Sequence, residues 1–169
     1  MSEKNTLSNW SLWAQGMRIP GAHEYTPPDL KITRVDIRTG GMDVATPTDG
    51  GMEPLTATFK IYGIDASVLG LLGMQAGQKM SRLTAYEGYI APGRVIGRTD
   101  EIEGIVTGIT PDARPNSNHA EAGFQIEVAV SYYRSVLDGR ELYEIIPEQF
   151  VRRINGVNVL ADIAAAIRV

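Results

Sequence analysis

Few residues in this chain could perform chemistry, and their spacing limits what that chemistry could be. Asp100, Glu101 and Glu103 could supply a carboxylate pair for general acid–base work on a glycoside or ester. On a strand, however, Glu101 and Glu103 share one face, which is the pattern of a wet acidic surface. His23 and His119 are the only imidazoles and lie in separate Pro- or Asn-rich segments, a poor arrangement for a metal. Asp43-Val-Ala-Thr-Pro-Thr begins like a calcium loop. It lacks oxygen ligands at the third and fifth positions and the Gly at the sixth. No phosphate-cradling G-x-x-x-x-G-K-[ST] is present, and no G-x-G-x-x-G opens a helix. With no cysteine there is no disulfide, thiolate site or thiol nucleophile. Asn9-Trp-Ser fits a glycosylation sequon, but the polar opening MSEKNTLSNWSLW gives it no secretory context. These residues point away from an enzyme, and no metal or cofactor is expected.

Composition supports the same view. Sixteen basic and twenty acidic residues among 169 give a net charge of −4, and the four Lys and twelve Arg are scattered. Arg152–Arg153 is the only adjacent basic pair, so a phosphate-gripping patch is not expected. A small β-barrel binding oligonucleotides would need basic and aromatic residues on one sheet face. No apolar run approaches the roughly 20 residues of a membrane-spanning helix.

The elements that would position these residues read as mainly β. Residues 1–29, punctuated by Gly16, Pro20, Gly21, Pro27 and Pro28, read as an extended arm with one short strand. The remainder, 30–169, reads as a single domain. Trp10 and Trp13 lie in the arm, either to dock it on another surface or to pack on its own domain. Strand-like LKITRVDI (30–37) leads to a Gly/Pro-rich stretch, 39–54, long enough to be a functional loop. LTATFKIYG (55–63) alternates as a half-buried strand. DASVLGLLG (65–73) reads as a short helix capped by Asp65 and Gly73. Strands over 79–90 and 94–109 meet at Pro92-Gly93, the second weakened or bulged at Gly97, Gly104 and Gly108.

Residues 111–123 read as a polar loop. In 123–137 the alternation puts Phe124, Ile126, Val128, Val130 and Tyr132 on one face. Asp138-Gly139 turns this strand into RELYEII, a hairpin with no chemistry in its flanks. A last strand ends at Asn155-Gly156, and Asn158 is expected to cap an Ala-rich helix over about 158–167. Strands of this kind expose edges that must be covered, charged or used for assembly.

The segment SYYRSVLDGRELYEIIPEQFVRRINGVNVLADI, Ser131 to Ile163, resembles the C-terminal signature of the major tail tube proteins of contractile-tailed phages, which R-type bacteriocin (tailocin) tubes share. The similar positions are Tyr132-Tyr133 followed by a basic residue, Asp138-Gly139, Glu141, Tyr143-Glu144-Ile145, Ile154-Asn155-Gly156 and Leu160. Upstream, TGGMDVATPTDGGMEPLTATFKIYGID (39–65) is similar to that family's Gly-Met loop, alternating strand and short helix. NWSLWAQG…PPDLK matches its opening in outline. The chain departs from the pattern in a longer stretch before Trp10 and in PDARPNSNHAEAG, which stands where a more charged loop is usual.

The resemblance implies an antiparallel β-sandwich or partial barrel with one or two short helices. Six copies would join edge to edge into a ring-shaped multi-subunit β-barrel, and rings would stack into a hollow tube in a virion tail assembled in the host cytoplasm. It implies as partners the chain itself, a tail sheath protein, a baseplate hub, a tape-measure protein, and DNA that passes without binding. Gly40, Gly41, Met42, Asp43, Asp49, Gly50, Gly51 and Met52 become candidates for ring stacking. Gln125, Glu127 and Ser131, and after them Glu101 and Glu103, become candidates for the lumen lining. Six chains of −4 each would put −24 on every ring, disfavouring adhesion of the DNA backbone. The same resemblance implies as an alternative the tube subunit of an R-type bacteriocin or related contractile injection system, which conducts no DNA.

Overall fold

The structure, a computed structural model, describes residues 4–73 and 79–169. β1 (Thr6–Ala14) turns at Gln15-Gly16 into the short β2 (Met17–Arg18), and β3 (Ala22–Thr26) follows. Next come β4 (Ile32–Ile37), β5 (Thr46–Met52), β6 (Leu55–Tyr62) and the single-turn α1 (Ala66–Leu69). The long strands β7 (Ser81–Ala91), β8 (Arg94–Pro111) and β9 (Gly123–Leu137) make the centre. The chain ends in β10 (Arg140–Ile146), β11 (Val151–Ile154), β12 (Val157–Asn158) and α2 (Ala161–Ile167).

Among the described residues ten strands form one antiparallel sheet, ordered β12-β11-β10-β9-β8-β7-β1-β2, with β6 on β9 and β3 on β6. β9 serves two branches. Its residues 123–130 pair with β6, residues 133–137 pair with β10, and β8 runs along its other edge. The strip β1-β7-β8-β9-β6-β3 curls until its ends meet. Trp10 on β1 comes within 6.3 Å of Tyr25 on β3, and the Tyr25 hydroxyl donates to Asp100 on β8 at 3.3 Å. The result is a partial barrel filled by Leu12, Phe59, Leu83, Ile102, Ile126 and Val128. Burying each such side chain contributes about 1.5–3 kcal/mol.

Local chemistry fixes the turns. Asp138-Gly139 and Asn155-Gly156 both place two successive residues at positive φ, as a two-residue hairpin with native strand twist requires. Gln15-Gly16 does the same between β1 and β2. Gly104 must be glycine for another reason: a Cβ there would stand 2.2 Å from the Ala129 carbonyl oxygen.

Four expectations are corrected. The first 29 residues are not an arm beside the domain, although residues 1–3 lie outside the described residues. β1 pairs with β7 from Thr6 to Ala14, and Leu12 and Ile19 are buried in the same core as Phe59. The strand was obscured by the prolines and glycines that follow it. Residues 39–54 are not all loop either. β5 pairs with β4 as a separate two-stranded ribbon, with a turn over 38–45. Its Thr-Pro-Thr-Asp-Gly-Gly sequence has little strand propensity and is held by cross-strand hydrogen bonds to β4.

The third correction concerns β9. Glu103 pairs with Tyr132 and Gly104 with Val130, so Ser131 is the extra residue of a bulge. A bulge shifts the alternation by one, and Tyr133 is buried where Tyr132 was expected. The helix caps also move. Asp65 caps α1 as expected, its carboxylate accepting from the Ser67 N–H at 3.0 Å, but the C-cap is Gly70. Gly73 instead donates its N–H to Val106 at 2.8 Å. Asn158 belongs to β12. Its side-chain oxygen accepts from the N–H groups of Arg152 and Leu160, and α2 begins three residues past it, at Ala161, with Leu160 as the N-cap.

Candidate functional site

The strand registers place both sets of expected lining residues on a single sheet face. Gln125 and Glu127 point out of the barrel on β9, and past the Ser131 bulge Tyr132 and Arg134 continue that face. Glu103 and Glu101 on β8 stand opposite Tyr132 and Arg134. Ser131 is not offered in the same way, because its hydroxyl donates to the Glu103 carbonyl at 3.2 Å within the bulge.

The face is not simply acidic. Arg82 meets the Glu103 carboxylate at 2.7 Å. Arg134 lies between Glu141 at 3.3 Å and Glu101 and Glu144 at 3.8 Å, and Arg153 meets Glu144 at 2.7 Å. The hydrogen bond to Glu103 raises the pKa of Arg82, and that to Glu141 raises the pKa of Arg134. Tyr132, which donates to Glu144 at 3.1 Å, is pushed up to about 12, first by burial and then by that carboxylate. Trp13 and Tyr86, edge to face at 6.2 Å, lie on the same side of the sheet. Arginines and aromatics therefore share a face, as a single-strand binder would need. Arg82, Arg134 and Arg153, however, are already matched by glutamates, leaving little cationic field for a phosphate chain.

The two tryptophans take opposite sides of β1. Trp10 packs on the domain's own core beside Tyr25, the second of the two options left open by the sequence. Under Trp10 lies a buried ionic cluster that sequence reasoning missed. Arg98 donates to Asp100 at 3.2 Å, to Ser135 at 3.1 Å and to Tyr133 at 3.2 Å, with Glu87 at 3.8 Å. Asp100 and Ser135 are fully buried. Burial first, and then Asp100, raises the pKa of Tyr25. The available signal was the alternation of β8, which puts Arg98 and Asp100 on the face opposite Glu101.

The β4–β5 ribbon carries the expected stacking residues. Gly40, Gly41, Met42 and Asp43 form its turn, and Asp49, Gly50, Gly51 and Met52 lie along β5. Arg34 pairs with Asp49 and Val35 with Thr48, so Val35 and Ile37 share the face opposite Asp49 and are about half exposed. Gly50 is crowded beneath Val35: a Cβ there would come 2.6 Å from the valine methyl. Asp49 turns toward the domain body, where Arg152 donates to it at 2.7 Å. That hydrogen bond, with one from the Gly51 N–H, holds the Asp49 carboxyl below the usual range.

Where β9 passes from β6 to β10, the two branches diverge and leave a groove of about 1080 Å³. Its apolar lining includes Met52, Leu55, Val130, Ile145, Ile154 and Ile163. α2 borders it without burying any of its own residues. Arg152 also lines the groove, is 8% exposed, and leaves its Nε buried without an acceptor.

Among the described residues no group of three His, Asp or Glu could hold a metal, and no helix is long and apolar enough to cross a membrane.

A family model described as phage tail tube protein FII matches residues 4–167. Among solved structures, the chain is similar to one from the PVC sheath–tube complex of an extracellular contractile injection system in its extended state. The identity is 11%, the match covers 75% of this chain and 87% of that one, and the TM-score is 0.59. It is also similar to a chain of the PVC sheath/tube terminator, at 12% identity over 75% and 92% of the two chains, with a TM-score of 0.60. A third is from the anti-feeding prophage cap, at 14% identity over 76% and 86%, with a TM-score of 0.58. At these identities the likeness is one of fold. No curated protein matches the chain.

Proposed function

From the premise that this chain belongs to the phage tail tube protein FII family, a family of structural tail components and not of enzymes, we propose that it is the repeating subunit of a contractile tail's tube. Six copies close a ring, rings stack, and the lumen conducts DNA during ejection. The observation that carries this reading is the pair of unfinished sheet margins. β1 pairs with β7 along its length but with β2 only at Trp13 and Ala14, leaving an edge at Thr6–Ser11. At the other end, among the described residues, the sheet stops at the two-residue β12 (Val157–Asn158); β11 itself is matched at Arg153 and Ile154 by β12 and at Arg152 by the Asn158 side chain and the Val159 N–H. Margins that meet no further strand, on opposite sides of one sheet, favour a heterologous contact that closes on itself.

The outward face of β7–β9 is the best candidate for the lumen wall, with Glu101, Glu103, Gln125 and Glu127 on it. Matching of its arginines by carboxylates would let a polyanion slide without cationic traps. The sheath docks outside, as the similar PVC chain's setting in a sheath–tube complex suggests. The baseplate hub caps one end, and a tape-measure protein fills the lumen before ejection. A tube of the R-type bacteriocin or extracellular injection kind is the second reading, favoured by the fold likeness to the PVC chains and by a face that is charge-balanced rather than strongly acidic. A capsid gene beside this one supports the phage reading; its absence supports the second.

Negative-stain microscopy of the purified chain, with light scattering across concentration and salt, tests the core of the reading. Rings or tubes with a central channel are expected. A monomer under every condition, with and without a tail initiator complex, would overturn it.

A further inference from the structure

Trp10 joins two parts of the molecule. Its side chain lies on the buried ionic cluster, 6.3 Å from Tyr25 and directly across the strand ladder from Glu87. Its backbone lies at the free margin of β1. The Leu12 carbonyl points away from β7, since it accepts from the Ile19 N–H at 2.9 Å, and alternation puts the Trp10 N–H and C=O on that same side. There the Trp10 N–H donates to the Asn9 side-chain oxygen at 2.8 Å. Little else anchors this stretch. The β1–β7 register shifts between Leu7 and Asn9, and Leu7, beyond the shift, is 46% exposed. Among the described residues β3 pairs only with β6, so no strand ladder closes the seam between β1 and β3. Arg98 reaches Trp10 by two routes across that seam: through Glu87 at 3.8 Å, and through Asp100, which also accepts from the Tyr25 hydroxyl. Replacing a buried ion pair by apolar residues often leaves stability unchanged or raises it, so stability alone is a weak reason for such a cluster. Its directional hydrogen bonds fix geometry instead.

We infer that the Arg98 cluster sets the β1 margin in place for pairing with a neighbouring copy, with Arg98, Tyr25 and Trp10 as positioning residues. This rests on the tube reading, which supplies the neighbouring copy. The cluster is buried behind the sheet and acts through Trp10, whose indole holds the backbone of residues 9–11 at the line an incoming strand must match. A strand paired along one side only opens locally at little cost, and each opened state must be ordered again before a strand can add to it. Holding β1 in advance removes that ordering cost from ring closure.

Tyr25→Phe tests this, because it keeps the ring beside Trp10 and removes only the hydroxyl that reaches Asp100. Val106→Ala, at a fully buried position on β8 well past the cluster, controls for lost stability alone. Ring formation is followed by light scattering and negative-stain microscopy across subunit concentration, well below each protein's thermal transition. Tyr25→Phe should raise the concentration needed for rings about tenfold, the scale of one hydrogen bond to a charged group. Val106→Ala should leave it within about twofold, being remote from the margin. A Tyr25→Phe protein that assembles like wild type, or shifts no more than the control, would overturn the inference and leave the tube reading intact. A wild-type chain that forms no rings defeats the tube reading instead, and amide exchange on the unassembled chain then decides the inference by itself. There the β1 amides that donate to β7 should lose about tenfold of their protection in Tyr25→Phe, while the β7–β8 amides keep theirs. Equal loss in both ladders, or none in β1, overturns the positioning role.

Discussion

Replacing Arg98 with Met keeps the side-chain stem and removes the one guanidinium of the buried cluster. Two carboxylates would then remain, with Asp100 fully buried and the Glu87 side chain 8% exposed. Asp100 would still accept from the Tyr25 hydroxyl, and Glu87 from the Tyr89 hydroxyl at 2.6 Å, but neither would have a counter-charge. Breaking a buried pair by removing one partner costs about 3–5 kcal/mol, and the Arg98 side chain is 24% exposed, so a loss of about 3 kcal/mol at pH 7 is expected. For a domain of this size that lowers the melting temperature by roughly 6–12 °C.

Urea unfolding at pH 7, with Asp100→Asn alone and combined with Arg98→Met, reads the coupling directly. The double variant should be more stable than the sum of the single losses predicts, by at least about 1 kcal/mol. A single-variant loss below about 1 kcal/mol, or strictly additive losses, would refute the view that Arg98 neutralises the cluster. Because Tyr25–Asp100 joins β3 to β8, the loss should also loosen barrel closure beside the free margin of β1.

Gly123→Ala should lose about 3 kcal/mol or fail to fold, because a Cβ there would stand 1.8 Å from the Ile61 carbonyl oxygen in the β6–β9 ladder; urea denaturation checks it. Ile102→Ala, at a fully buried position, should cost about 2–5 kcal/mol in the same assay without altering the slope of the transition. Asp49, held low by Arg152, contributes its stabilisation fully above the ordinary carboxylate range and loses it as pH falls through the lowered value. Protection of the β5 amides, taken relative to the intrinsic exchange rate at each pH, should fall on acidification, and Asp49→Asn should abolish that dependence.

Much of this protein was legible because a strand's side chains alternate and its turns need particular residues. The lengths of β6, β7 and β8 and the Asp138-Gly139 and Asn155-Gly156 turns follow from patterns spanning only a few neighbours. Elements whose own composition is ambiguous were less legible. β1 is followed by glycine and proline, and its strand state depends on pairing with β7, about 75 residues away. β5 is poor in strand formers and is held by β4.

Sequence alone determined the family pattern of the last forty residues and the mainly β character, because each is a property of composition or short-range order. Only the folded chain decided which residues share a face. The bulge at Ser131 reversed the alternation so that Tyr133 went inward, and strand registers brought Glu101, Glu103, Gln125 and Glu127 onto one surface, where Arg82 meets Glu103 and Arg134 meets Glu101. The groove beside α2 and the Arg98 cluster are likewise tertiary, because both arise where strands far apart in the chain diverge or cross, and no local spacing encodes that meeting.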